Sequence, residues 1–272
     1  SVTGSVRAGQ EVAAAASSSL KRVHLELGGK APVVVFDDAD LESAAEGIAT
    51  AGYFNAGQDC TAATRAYVQR PLYDAFVEAV SELFSRVVIG DPLDDSTDIG
   101  PLISRRQQDR VAGFVDRARA DGATVRAGGH IPTGDLAKGA FYPATVITDA
   151  AQTSEIVQAE VFGPVLVVLP FDSDDEGITL ANDTPYGLAA SAWSTDVFRT
   201  LRAQREMQAG CVWINDHIPI VSEMPHGGYK QSGFGKDMST YSLEEYTQIK
   251  HVSMDITGTA RKEWHRTIFS EK

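Results

Sequence analysis

Apolar positions recur along the chain with two different periods, and the two alternate. Short, nearly unbroken apolar runs occupy residues 23–27, 32–36 (Pro-Val-Val-Val-Phe), 66–69, 144–147, 165–169, 190–193 and 211–215. Runs of this length without polar alternation predict strands covered on both faces. Between them, apolar residues return every three or four positions. Asp40 can cap a helix to about Phe54, with Leu41, Ala44, Ala45, Ile48 and Ala49 on one side, and Gly57 breaks it. Pro71 opens a second helix with the stripe Phe76, Val80 and Leu83. Ser104 and Gln107 make a capping box for a third, which Gly122 closes. Residues 175–182 and 196–208 read as helices that separate the last three strands. This rhythm predicts an α/β fold, a mostly parallel twisted sheet with flanking helices. The Gly/Pro/Asp-rich loops 90–103 and 128–139 read as connections within one domain.

The two ends behave differently. Val2 is strand-like, Gly4 and Ser5 make a turn, and residues 10–16 are good helix formers. A domain rarely begins at a strand-to-helix turn, so the chain reads as a piece whose N-terminal part is missing. Residues 216–237 hold Pro219, Pro225, Gly227, Gly228, Gly233 and Gly235 in a long loop, the kind that is usually functional. Residues 246–256 read as a final extended strand, and 257–272 as a polar, basic tail.

Composition narrows the function. With 272 residues, 43% hydrophobic and 22% charged, the chain can bury a large core and is not globally disordered. Lys and Arg number 24 against 37 Asp and Glu, a net charge of −13 that repels a phosphate backbone, so no nucleic-acid partner is expected. No apolar run approaches the roughly 18–20 residues of a membrane span, and no membrane partner is expected. The first residues lack a secretory signal's basic start and apolar core. Two isolated cysteines, Cys60 and Cys211, fit a reducing cytoplasm better than a disulfide framework.

Candidate chemistry gathers at two places. Cys60 follows Phe54-Asn55-Ala56-Gly57-Gln58-Asp59 on a loop and is followed by the small residues Thr61, Ala62 and Ala63. Small neighbours leave a sulfur accessible, and a loop position near a helix start would lower the thiol pKa. The competing reading is a buried structural cysteine, which suits Cys211 in its apolar run. Glu26 stands in Glu26-Leu27-Gly28-Gly29-Lys30 at the end of an apolar run. Apolar surroundings raise a carboxyl pKa toward the range of a general base, and glycines admit close approach of a ligand. Pairing with Lys21, Arg22 or Lys30 is the alternative. No His/Cys/Asp group with metal-ligand spacing appears, so no metal is expected.

The pentapeptide at Glu26 and Phe-Asn-x-Gly-Gln-x-Cys, placed 34 positions apart from Glu to Cys, together resemble the aldehyde dehydrogenase superfamily. Glu160-Val161-Phe162-Gly163-Pro164 is similar to that family's Glu-x-Phe-Gly-Pro. Gly4-Ser5 through Gly9 resembles its Phe-Thr-Gly-Ser-x-x-x-Gly turn, with Val2 in place of Phe. The segment from Pro225 to Gly233 resembles its C-terminal loop signature, with His226 where Phe is common. The five motifs keep the family order and cover residues 1 to about 256.

The resemblance implies oxidation of a small-molecule aldehyde through a Cys60 thiohemiacetal and a thioester hydrolysed with Glu26 as base. It implies NAD as cofactor, held by Gly4, Ser5, Leu27, Gly28, Glu160 and Phe162. NADP is not excluded, because the ribose-contacting residue would precede residue 1. The Asn side chain that completes the oxyanion hole with the Cys60 N–H would also precede it. By the same resemblance, residues 1–28 are the tail end of a dinucleotide-binding domain and 29–237 the catalytic domain. Residues 238–256 are the C-terminal return and oligomerisation strand of a dimer or tetramer, and 257–272 a tail. The motif details look most like the 4-aminobutanal and aminoaldehyde branch, with Phe54, Asp59, Thr61, Glu223 and Trp213 as candidate substrate contacts. Asp59 capping its own turn, Glu223 as a solvated loop charge and Trp213 in the core are the competing readings. Two other functions stay open: a truncated form without dehydrogenase activity, and a cofactor-independent thiol esterase in which His24 or His226 approaches Cys60.

Overall fold

A computed structural model describes residues 1–259 and 261–268. In chain order the elements are β1 (Val2–Thr3), α1 (Val6–Ser17), β2 (Leu25–Glu26), β3 (Ala31–Val35), α2 (Leu41–Tyr53), β4 (Ala63–Gln69), α3 (Arg70–Ser85), α4 (Arg105–Ala120), β5 (Thr124–Ala127), β6 (Thr145–Thr148), α5 (Glu155–Gln158), β7 (Val165–Phe171), α6 (Asp174–Asn182), β8 (Ala189–Trp193), α7 (Val197–Glu206), β9 (Cys211–Ile214), β10 (Gly233–Phe234) and α8 (Ser239–Glu245). Seven strands form one sheet in the order β5-β6-β7-β4-β3-β8-β9, and only the β5–β6 pair is antiparallel. β1, β2 and β10 form a second, three-stranded sheet.

The central strands are apolar because helices cover both faces. All five residues of β3 and all seven of β4 are buried. Ile48 of α2 and Phe76 and Val80 of α3 join the same core, together with Phe171 of β7. Arg65 lies fully buried in β4, its guanidinium donating to the carbonyls of Lys30 (3.0 Å) and Ala181 (3.0 Å) and to Tyr67 Oη (2.8 Å). These bonds take the place of the water the charge has lost.

Several expectations change. The helix near the start begins at Val6, capped by Ser5, whose Oγ accepts from Ala8 N–H. Ser104 caps α4 by accepting from Gln107 N–H, but the Gln107 side chain does not reach back. It donates instead to the carbonyls of Val161 (3.2 Å) and Phe162 (2.6 Å), so the reciprocal capping box is absent. β5, a four-residue edge strand, was not expected. Cys211 lies half-buried on edge strand β9, not in the core. Residues 246–256 form no strand: they follow α8 without a pairing partner among the described residues. In the tail, Glu263–Thr267 makes a short 3-10 turn, while residues 260 and 269–272 lie outside the described residues. Among the described residues, no helix is long and apolar enough to cross a membrane.

Candidate active site

Glu26 occupies the middle strand of the small sheet. It pairs with Thr3 on β1 and Gly233 on β10, and its carbonyl accepts from Gly4 N–H at 2.9 Å. Only 5% of it is exposed. Burial, then the charge of Asp237, pushes its carboxyl up to about 7, against the opposing pull of Lys236 and the Gly228 N–H. Of the cations expected as alternative partners, Lys21 and Arg22 are engaged elsewhere. Lys21 Nζ donates to Ser19 Oγ, and Arg22 donates to the carbonyls of Glu245 and Thr247. Lys30 is 1% exposed, its amine pushed down to about 7 by burial first and Arg65 second. Two histidines stand there instead: His24 Nε2 lies 3.7 Å from one carboxylate oxygen and His226 Nε2 3.7 Å from the other.

Cys60 is delivered by a backbone reversal. After α2, Asn55 (φ 54°), Ala56 (φ 55°) and Gly57 (φ 68°) run consecutively through the left-handed region. The chain then passes Gln58, Asp59 and Cys60 before entering β4. Asp59 accepts from both Thr61 N–H and Thr61 Oγ1 at 2.7 Å and so caps this turn. Behind it, the buried His217 bonds the Thr61 carbonyl through Nε2 (2.7 Å) and Ser191 Oγ through Nδ1 (2.8 Å). Gly29 is required by contact: a Cβ there would lie 2.1 Å from the Cys60 carbonyl oxygen. The nucleophile and base segments therefore touch through backbone. No helix begins at Cys60, and the expected lowering of its thiol pKa does not occur. Burial first, then the charges of Asp59, Glu160 and Glu26, pushes the thiol up to about 12.

Cys60 and Glu26 face one cleft of about 580 Å³. Its walls include Gly4, Ser5, Leu27, Gly28, Glu160 and Phe162, all six residues expected at a cofactor, and Asp59. Phe54, Thr61 and Glu223 are not on these walls. Thr61 is buried behind the turn, Glu223 is exposed, and Phe54 borders a separate apolar cavity of about 830 Å³ with Tyr53, Leu83 and Phe84. That larger cavity has no thiol in its wall, so the chemistry belongs to the smaller one. Trp213 is half-buried, its Nε1 donating to the Pro219 carbonyl at 2.8 Å.

The cofactor-facing wall is held from behind. Glu160 Oε1 accepts from Gly29 N–H at 2.9 Å, and burial raises its carboxyl. A Cβ on Gly28 would lie 2.5 Å from Glu160 Oε2, so glycine leaves room for this carboxylate. Phe162 is left-handed (φ 57°), and Gln107 holds its carbonyl. Arg110 Nη2 donates to the Glu160 carbonyl at 2.5 Å. Thr3, Gln58 and Arg110 line the cleft unforeseen. Of these, Thr3 and Gln58 stand within quoted motifs and Arg110 does not. Folding also brings together His24, Glu26 and Asp237, a ligand-type group that sequence spacing did not reveal.

A buried carboxylate from the small sheet and a thiol just before β4 of the large one share a cleft and define a cysteine–carboxylate site. Residues 1–252 match the aldehyde dehydrogenase family, and the chain belongs to that family. It is 43% identical over 252 residues to a betaine aldehyde dehydrogenase of Sinorhizobium fredii, covering 93% of this chain and 52% of that protein. To the betaine aldehyde dehydrogenase of Agrobacterium fabrum it is 42% identical, covering 93% and 51%. The fold is similar to a crystal structure of Staphylococcus aureus betaine aldehyde dehydrogenase in complex with NAD+, with TM-score 0.90 and 38% identity over 95% of this chain and 53% of that one. A Bacillus cereus aldehyde dehydrogenase (E194S mutant) gives TM-score 0.89 and 40% identity over 91% and 50%. The chain spans about half the length of the curated relatives it matches.

Proposed function

We propose that this chain carries the reacting half of an NAD-dependent aldehyde dehydrogenase, which oxidises an aldehyde to its carboxylic acid. The observation that supports it is the single cleft shared by Cys60, Glu26, Glu160 and Phe162. Cys60 Sγ attacks the carbonyl carbon; as the C–S bond forms the C=O π bond breaks, and the S–H proton ends on that oxygen to give a thiohemiacetal. The Cys60 N–H donates to the carbonyl oxygen as negative charge develops there. Once the carbon has been oxidised, a thioester on Cys60 remains. Glu26 takes a proton from the water that hydrolyses it, and the carboxylic acid leaves. A carboxyl near neutrality accepts and returns a proton at little cost, which suits Glu26 to this role.

The cleft suits a nicotinamide nucleotide. Glu160 presents a fixed carboxylate to sugar hydroxyls, Gly28 leaves the room, and the capped N-terminus of α1 at Gly4 and Ser5 favours an anionic linkage. When bound, that group supplies the hydride acceptor. Residues 1–28 then serve as the tail of the cofactor domain and 29–237 as the catalytic domain. Residues 246–256, where Ile249, Val252, Met254 and Ile256 are exposed, serve a homo-oligomer contact. For the substrate we favour a small aldehyde bearing a cationic nitrogen. Asp59 on the cleft wall supports this, as do the names of the relatives.

The test is intact mass spectrometry of the Glu26→Gln protein after incubation with NAD+ and an aldehyde, 4-aminobutanal and betaine aldehyde first. An acyl mass on Cys60 that requires NAD+ is expected. Acylation at another residue, or none with any aldehyde, overturns the reading. Hydrolysis of an activated ester, indifferent to NAD+ and unaccompanied by aldehyde oxidation, would establish a thiol esterase instead.

A further inference from the structure

Beside the reacting pair, three ligand-type side chains converge from distant parts of the chain. His24 and Glu26 flank Leu25, so they project to the same side of the extended segment. Asp237 arrives just after β10. His24 Nε2 lies 3.7 Å from Glu26 Oε1 and 3.6 Å from Asp237 Oδ1. One ligand atom from each residue falls within 4.8 Å of the other two. Bonds of about 2.0–2.2 Å to a tetrahedral ion place its ligands roughly 3.4 Å apart, so closing the group onto an ion takes only small shifts.

An independent observation points the same way. His24 and Glu26 are each only 5% exposed, and His24 Nε2 and Glu26 Oε1 have no hydrogen-bond partner among the described residues. Buried polar atoms are seldom left so. The other imidazole nitrogen, Nδ1, faces Tyr246 Oη at 3.4 Å, which leaves Nε2 as the nitrogen turned toward the carboxylates. A lone pair on Nε2 and two carboxylate oxygens are three electron-rich atoms around one point. A cation satisfies all three, and a second partner on the far nitrogen is how metal-binding imidazoles are usually oriented. Asp237, with 43% of its side chain exposed, gives an entry path. The neighbouring Lys236 opposes a cation, but its Nζ is turned to the Gly227 carbonyl at 2.7 Å.

We propose that His24, Glu26 and Asp237 form a binding site for a borderline divalent transition metal, with zinc as the best match. One imidazole and two carboxylates give zinc three ligands and leave a fourth position for water. Calcium would need six or more oxygens, and magnesium a near-octahedral oxygen set. A filled site occupies the Glu26 carboxylate, so metal binding and thioester hydrolysis exclude each other. Binding stands on the cluster alone, while this inhibitory consequence rests on Glu26 being the base.

The test is zinc competition against a chromophoric chelator in a Cys60→Ala/Cys211→Ala background, where no thiol can hold the metal. One zinc per chain is expected, with a zinc-dependent rise in melting temperature. His24→Gln and Asp237→Asn should each weaken binding at least tenfold while leaving the metal-free melting temperature within a few degrees. Asp237 is open enough for its variant to fold if His24→Gln does not. No stoichiometric zinc, or equal affinity in the Asp237→Asn protein, overturns the site and leaves direct pairing of His24 with the two carboxylates as the explanation. In the protein with both cysteines, zinc should stop release of the acyl group from Cys60. Zinc bound as expected with undiminished release would refute Glu26 as the base while the site stands.

Discussion

Protonating His217 should cost the fold more than any exposed histidine could, and the cost can be worked from its surroundings. The ring is 5% exposed, and both nitrogens are engaged. The Thr61 carbonyl only accepts, so Nε2 carries the hydrogen and Nδ1 accepts from the Ser191 hydroxyl. Burial drives the pKa down to about 4, against the smaller upward pulls of the Thr61 carbonyl, Asp59 and Asp216. An unfolded histidine titrates near 6.5, so the native state favours the neutral ring. The resulting stability is fully present above about pH 6.5. It drains as pH falls and is gone below about 4. The gap between about 6.5 and about 4 corresponds to roughly 3 kcal/mol, of which about 2 kcal/mol is lost by about pH 5. Urea unfolding at pH 7 and pH 5, for the native protein and for His217→Gln, isolates this share because carboxylate contributions cancel between the two. The native protein should lose about 2 kcal/mol more than the variant between the two pH values. Equal losses would show that the ring is not held neutral, and that the support behind the Cys60 turn has been misread.

Gly29→Ala would place a methyl 2.1 Å from the Cys60 carbonyl oxygen. Acylation of Cys60 should fall on the order of 100-fold, with a stability loss of about 1–3 kcal/mol, and an unchanged acylation rate would contradict the contact. Because the Cys60 thiol is pushed up to about 12, its alkylation by iodoacetamide should be slow at neutral pH and rise about tenfold per pH unit to at least about pH 9; a plateau below that argues against the burial. Gln107→Ala removes the donor holding the Val161 and Phe162 carbonyls, so NAD+ affinity measured by fluorescence titration should drop about tenfold with the far-ultraviolet circular dichroism unchanged.

What the sequence disclosed followed from how local each signal was. β3 was plain in Pro-Val-Val-Val-Phe because both of its faces are buried, which leaves an unbroken apolar run. β4 showed only its end, since the buried Arg65 near its start looks like a surface residue until its carbonyl partners are known. β5 alternates polar and half-buried residues at an edge and gives a weak pattern. Residues 246–256 carry strand-like alternation, but a strand needs a partner and none pairs with them among the described residues. Glu26, Cys60, Glu160 and Phe162 were readable because their motifs are contiguous. His217, Asp237 and Arg110 were not, because each matters only through what folding sets beside it. The thiol expectation failed for a related reason: loop position says little about how deeply folding buries Cys60, or about the three carboxylates it sets nearby.

The strand that carries Glu26 has an unusual debt to the rest of the chain. Its partners are Val2 and Thr3 at one end of the sequence and Gly233 and Phe234 near the other. The last strand of the large sheet ends at Ile214, whereas the small sheet is complete only when Gly233 and Phe234 close a loop of about two hundred residues onto β2, and such pairings form late. A chain still emerging from synthesis would hold Cys60 on a nearly finished sheet while its base had no fixed place. Release of an acyl group from Cys60, the step given to Glu26, would therefore become possible only with the last contacts of folding.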